Sequence, residues 1–301
     1  MAVKAWRPGF LWGMWLLLAV ACSAAPASTP IPAATPLPPP PEVNVIIITQ
    51  DLALGSNRMV FGLVDRDGMP LRRDKAQLRA IYLTPGQQEG EVRDTGVAEF
   101  KQWPAGPQGV LTATMNFDRT GFWQLAVDTT GPDGSPAVGL GAFEVKEKTE
   151  TPSLGDPAPR SVTPTGEGLD DLSTITSSTE PDPDLYRLSI DQALDTGKPL
   201  VVVFATPAFC VSATCGPQVE IVSQVKEKFS DRANFIHVEV FENPHLIEGN
   251  RPTGGLAPAV NEWNLPSEPW TFIIDKQGKV HAKFEQFTTA EEIEAALREV
   301  L

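Results

Sequence analysis

Cysteine, histidine and basic charge are the scarce commodities of this 301-residue chain. Cys22, Cys210 and Cys215 are the whole thiol set, so an oxidising compartment leaves no stray thiol once Cys22 is modified. Acidic residues outnumber basic ones to give a formal net charge of -14. The chain therefore lacks the positive surface that phosphate backbones require, and nucleic acid is set aside as a partner. Long apolar runs are also missing: FLWGMWLLLAVA, near the start, is too short for an ordinary membrane span. What remains is 42% hydrophobic residues, enough for two ordinary domains with real cores.

Residues 1–21 have the layout of a secretory signal, with Lys4 and Arg7 ahead of the apolar stretch. Ala19-Val20-Ala21-Cys22 resembles a bacterial lipobox, which implies that Cys22 is lipidated and becomes the first mature residue. The alternative is plain cleavage after the Ala-Val-Ala tripeptide; either way the mature protein is exported. Residues 22–42, rich in proline and small residues, cannot bury a core and read as an extended tether. The expected location is extracytoplasmic, on the cell membrane through a lipid anchor.

Residues 43–148 carry seven short β-type runs divided by turn signals such as Asp65-Arg66-Asp67-Gly68. Leu111, Ala113, Met115 and Phe117 alternate onto one face, as do Trp123, Leu125 and Val127. The pattern resembles an immunoglobulin-like β-sandwich, without the cysteine pair of antibody domains. No histidine occurs in this region, and Met59, Met69 and Met115 read as core packing rather than copper ligands. The module is expected to be a spacer or a docking surface. Residues 149–183 are rich in Pro, Gly, Ser, Thr and Asp and read as a linker, partly packed on the second domain, residues 184–301.

The chain is organised around Pro199–Phe229, PLVVVFATPAFCVSATCGPQVEIVSQVKEKF. PLVVVFA has the continuous β-branched character of a strand covered on both faces. Gly216 and Pro217 open a helix whose Val219, Val222, Val225 and Phe229 recur at three- and four-residue steps. Cys210 and Cys215 thus sit at a strand-to-helix corner. Unpaired amides and the positive end of the helix dipole favour a thiolate there, and the thiolate is the reactive species. The pair is read as a reversible redox site, against the alternative of a static disulfide pinning a loop.

From Ser189 onward the chain resembles the thioredoxin superfamily. VVVFATPAFC is similar to the family's strand leading to an aromatic-plus-cysteine site, TCGPQ to its Cys-Gly-Pro-Cys box with Gln218 in the last place, and Pro269 to its cis-proline. The helix SIDQALDTG, with Ser189 and Gln192 as a capping box, the strand ANFIHVEVF, the hairpin of WTFIID and KVHAKFEQF, and a terminal helix capped by Thr288 and Glu291 follow in the family's order. The expected fold class is therefore two domains, an all-β immunoglobulin-like sandwich and an α/β thioredoxin-like fold. Two departures stand out. The spacer is Val211-Ser212-Ala213-Thr214, so alignment from the strand makes Cys210 the nucleophile and alignment from the helix makes it Cys215, towards which adjacency to the helix start leans. Val203 stands where efficient thioredoxin reductants carry a buried acid.

The resemblance implies a thiol–disulfide oxidoreductase acting on exported protein thiols or disulfides, with Cys210 and Cys215 as catalytic residues and Phe209, Pro269 and Trp270 contacting the partner. One alternative is a copper-delivery protein, because thioredoxin-like copper chaperones add a distant histidine to two cysteines. His245 is the candidate ligand beside Cys210 and Cys215, with His281 second, although those chaperones have one residue fewer between their cysteines. The other alternative is a non-catalytic binding module with a structural disulfide.

Overall fold

A computed structural model describes residues 43–86, 90–104, 106–210, 214–249 and 254–301, all within one compact unit. The expected signal segment 1–21, the tether 22–42 and Cys22 lie outside the described residues.

Seven strands come first: β1 (Asn44–Ile47), β2 (Gly55–Val64), β3 (Lys75–Tyr82), β4 (Glu91–Gln102), β5 (Gly109–Phe117), β6 (Gly121–Thr130) and β7 (Pro136–Val145). They close into a barrel in the order β1-β2-β5-β4-β3-β6-β7, because β1 pairs antiparallel with β2 and parallel with β7, Asn44 opposite Leu140. Leu111, Met115, Phe117, Trp123, Leu125 and Val127 point inward into one apolar cluster, while Phe122, one residue out of phase, is exposed. Met59 and Met115 belong to this core, but Met69 is 61% exposed in a turn and does not.

This corrects the expected fold class. The seven strands form a closed barrel, not an immunoglobulin-like sandwich of two facing sheets. An alternating pattern specifies one apolar face per strand, which a sandwich and a barrel share; the pairing of the first strand with the last distinguishes them, and no local pattern encodes it. Nor is the remainder the expected α/β partner domain. It is a separate four-stranded sheet with few helices, two of them only five or six residues long, so the protein is mostly β.

That sheet runs β11-β10-β8-β9, from β8 (Leu200–Ala205), β9 (Asn234–Glu239), β10 (Trp270–Ile274) and β11 (Val280–Glu285). β8 and β9 are parallel, the other pairs antiparallel. Every residue of β8 and β10 is buried, as central strands covered on both faces must be. Val201, Val203, Ala205 and Ile273 face the apolar sides of α2 (Cys215–Phe229) and α4 (Ala290–Arg298). Leu200, Val202, Phe204, Phe272 and Ile274 face the other way, towards α1 (Ile190–Asp195) and α3 (Pro258–Glu262). α1 starts on the Ser189/Gln192 capping box. α4 is capped one residue later than the sequence suggested, by Thr289 and Glu292. Thr288 is buried and donates its amide to Gln218 Oε1 (2.9 Å), so it serves α2 instead.

Barrel and sheet are joined by a shared core and by buried charge. Val60 and Val110 of the barrel belong to the same apolar cluster as Ile293 and Leu297 of α4. Arg58 Nε donates to Glu292 Oε1 (2.8 Å), and its Nη2 donates to the Phe287 carbonyl (2.8 Å). Burial pushes the Glu292 carboxyl up, but Arg58 and the Thr289 amide outweigh it and hold it below the ordinary glutamate range. Glu285 Oε2 accepts the Gln50 and Asp51 amides (2.9 and 3.2 Å), and Asp51 accepts the Glu150 and Thr151 amides and the Thr151 hydroxyl (2.7, 3.1 and 2.7 Å). Residues 149–183 lie along the protein: the Gly155 and Ala158 amides donate to the carbonyls of Val280 and Gly278. Among the described residues no helix is long and apolar enough to cross a membrane.

Candidate functional site: a disulfide at a helix start

β8 ends at Ala205 and α2 begins at Cys215, so Cys210 stands between the end of the strand and the start of the helix, where Cys215 lies. Cys210 and Cys215 are joined by a disulfide there, their Cα atoms 5.9 Å apart. The two sulfurs differ in access. Cys215 is fully buried in the cluster that holds Val203, Val219 and Val222, whereas Cys210 is partly exposed at its margin. As the first residue of α2, Cys215 is also where helix amides stabilise a negative charge.

β10 runs antiparallel to β8 with Trp270 opposite Phe204, which brings the start of β10 to the end of β8 where the cysteine loop departs. The Glu268–Pro269 peptide there is cis. Pro269 is buried and its carbonyl accepts the Gln286 amide (2.8 Å). Gln218 ties α2 to this corner: its Nε2 donates to Thr271 Oγ1 (3.3 Å) while its Oε1 accepts the Thr288 amide. Burial pushes the Glu268 carboxyl up, placing a weakened acid beside Pro269.

Of the expected partner-contacting residues, Phe209 is half-buried, its ring 6.4 Å from that of Phe241. Trp270 is buried, stacked on Phe272 at 5.5 Å, and its indole N–H donates to Ser267. Trp270 thus supports the corner from within and presents almost no surface. His245 is exposed on a short 3-10 turn, Pro244–Leu246, and His281 Nε2 lies 2.9 Å from Glu299. Among the described residues no three His, Cys, Asp or Glu side chains are grouped to hold a metal, so Cys210, Cys215 and His245 do not form a ligand set.

The residues missed by sequence reasoning lie on β9. His237 is paired in register with Val203 and Glu239 with Ala205, and both side chains turn to the α2 face. His237 Nε2 lies 3.1 Å from the Ala205 carbonyl, which can only accept, so Nε2 carries the proton and Nδ1 accepts from the Tyr186 hydroxyl (2.7 Å). Burial keeps His237 below its ordinary range, against the pull of Glu239 and the Ala205 carbonyl, and burial pushes Tyr186 up. Glu239 Oε2 accepts both the amide and the hydroxyl of Ser177 (2.8 and 2.7 Å), and Ser177 Oγ in turn accepts the Ala208 amide (3.1 Å). Next to this, the buried Thr206 hydroxyl has no hydrogen-bond partner among the described residues. Two polar residues at i and i+2 in FIHVEV were the available signal, since that spacing puts them on one face of an otherwise apolar strand.

No family model matches this chain, and no curated protein matches it in sequence. Among solved structures, it is similar to a chain described as a thiol:disulfide interchange protein, DsbE, from Chlorobium tepidum, at 18% identity and a TM-score of 0.32, over 49% of this chain and 99% of that one.

Proposed function

We propose that the protein carries out thiol–disulfide exchange through the C-x4-C pair Cys210–Cys215. The observation that carries this reading is the unequal placement of the two sulfurs: one partly accessible, the other buried at a helix start where a departing thiolate is stabilised. A partner thiolate attacks Cys210 sulfur, the Cys210–Cys215 bond breaks, and Cys215 leaves with the electron pair. A second partner thiolate then displaces Cys210 from the mixed disulfide, leaving the partner oxidised and both cysteines reduced; the reverse sequence oxidises the cysteines. Exported protein thiols and disulfides are the substrate class.

Equilibration with glutathione buffers of graded ratio, read by the fraction of free thiol, tests the reading. Half-reduction is expected at a potential less negative than about -300 mV. A bridge that remains closed throughout that range is a structural one, and the non-catalytic alternative then replaces exchange.

The Ala19-Val20-Ala21-Cys22 sequence supports a lipid anchor on Cys22 and an extracytoplasmic site of action. Cys22→Ala is expected to move the protein from the membrane fraction to the soluble fraction or to block its maturation, because FLWGMWLLLAVA is too short to hold it as a span. Unchanged processing and membrane retention of the variant would rule out lipidation at that residue.

A further inference from the structure

Ser177 belongs to the stretch that reads as a linker, yet it reaches the cysteine loop. Its amide and hydroxyl both donate to Glu239 Oε2, which fixes the hydroxyl's proton and aims its lone pairs away from the carboxylate. The acceptor so oriented receives the amide of Ala208, two residues before Cys210. The loop is gripped a second time where it leaves the sheet, by His237 on the Ala205 carbonyl. The flank of Ser177 is itself anchored to α2: Asp182 accepts from the Ser223 hydroxyl, and Lys226 Nζ reaches Asp182 Oδ1 at 2.9 Å and Asp184 Oδ2 at 3.0 Å. One segment therefore bridges the strand below the loop, the approach to Cys210 and the helix that carries Cys215.

Resting on the exchange reading above, we propose that Ser177, oriented by Glu239, is a positioning residue of the cysteine pair. By holding Ala208 it keeps Cys210 within bonding reach of Cys215 and so favours the disulfide over the dithiol. In the reaction that measures this, two glutathione thiols become one glutathione disulfide, the Cys210–Cys215 bond opens, and the two protons end on the cysteine sulfurs. A loop freed at Ala208 samples more conformations as a dithiol, so closing the bond costs more conformational entropy.

The test is the glutathione equilibrium constant of the full chain carrying Ser177→Ala, Ser177→Thr or Glu239→Gln. Ser177→Ala is expected to shift the equilibrium about tenfold towards the dithiol, a change of about 30 mV to less negative potential. Ser177→Thr, which keeps the hydroxyl, should restore most of it. Glu239→Gln places a donor where the carboxylate only accepts, should shift the constant the same way, and gives a second reading if Ser177→Ala folds poorly. A purely structural serine would lower the melting temperatures of oxidised and reduced protein alike and leave the constant unmoved, and that outcome overturns the proposal while leaving exchange intact. A parent disulfide that glutathione does not open overturns both.

Discussion

Cys215→Ser incubated with glutathione disulfide is expected to form a mixed disulfide on Cys210, visible by intact mass and removed by reductant, at least tenfold faster than Cys210→Ser forms one on Cys215. Attack requires a sulfur that a second molecule can approach along the sulfur–sulfur axis, and rate depends on access as well as on thiolate fraction. Cys215 has the better thiolate environment, at the first position of α2, but its side chain is fully buried. Cys210 is partly exposed and packs only at the edge of the same cluster. On the exchange proposed above, access would decide the order: Cys210 would meet the partner, and Cys215 would resolve the mixed disulfide or leave as the stabilised thiolate. This expected result runs against the lean towards Cys215 that its place beside the helix start suggested. Equal or faster reaction of Cys210→Ser would return the attacking role to Cys215.

Asp51→Ala is expected to destabilise the protein by about 3–5 kcal/mol, a drop in melting temperature on the order of 10 °C for a chain of this size. The Asp51 side chain is fully buried and satisfies the Glu150 amide, the Thr151 amide and the Thr151 hydroxyl, with Lys283 Nζ at 3.7 Å. Burial already pulls the Lys283 ammonium below its ordinary range, with Asp51 as the main opposing influence. Removing the carboxylate leaves a largely buried cation hydrogen-bonded only to the neutral hydroxyls of Thr149 and Thr151, with Glu285 and Asp156 acting on it from a distance and the Trp270 ring 6.0 Å away. Adding Lys283→Met to Asp51→Ala should recover part of the loss, because it removes the unpaired charge but not the orphaned amides. A loss below about 1 kcal/mol for the single variant would mean that water replaces the carboxylate and that the joint between barrel and sheet does not depend on it.

The local part of this architecture was legible in the sequence. Strand runs, the turn at Gly278, the Ser189 capping box and the helix after the cysteines all follow from periodicity and punctuation over a few residues. Closure of the barrel was not, because it depends on Asn44 meeting Leu140 across almost a hundred residues, and both are ordinary strand positions. The site was half legible. Two cysteines at a strand-to-helix corner could be read directly, but Trp270, read as a partner contact, is core, since an aromatic beside a proline looks alike in either setting. Ser177 was invisible for a different reason, and Glu239 was signalled only by its spacing from His237. Their meaning comes from register across β8 and β9 and from a segment whose composition reads only as a connection.

The closed ring of the first seven strands also governs how the protein meets other chains. An open strand presents a row of unsatisfied amides and carbonyls that templates pairing with any extended polypeptide, the route to edge-to-edge aggregation. β1 is paired on one side with β2 and on the other with β7, so the ring has no terminal strand to recruit an eighth. In the second sheet, the rim of β11 is already occupied where Val280 exchanges hydrogen bonds with Gly155 and Asp156. A substitution that releases β1 would therefore do more than loosen one short strand: it would uncover the flanks of β2 and β7 together, turning a surface that resists seeding into one with two templates.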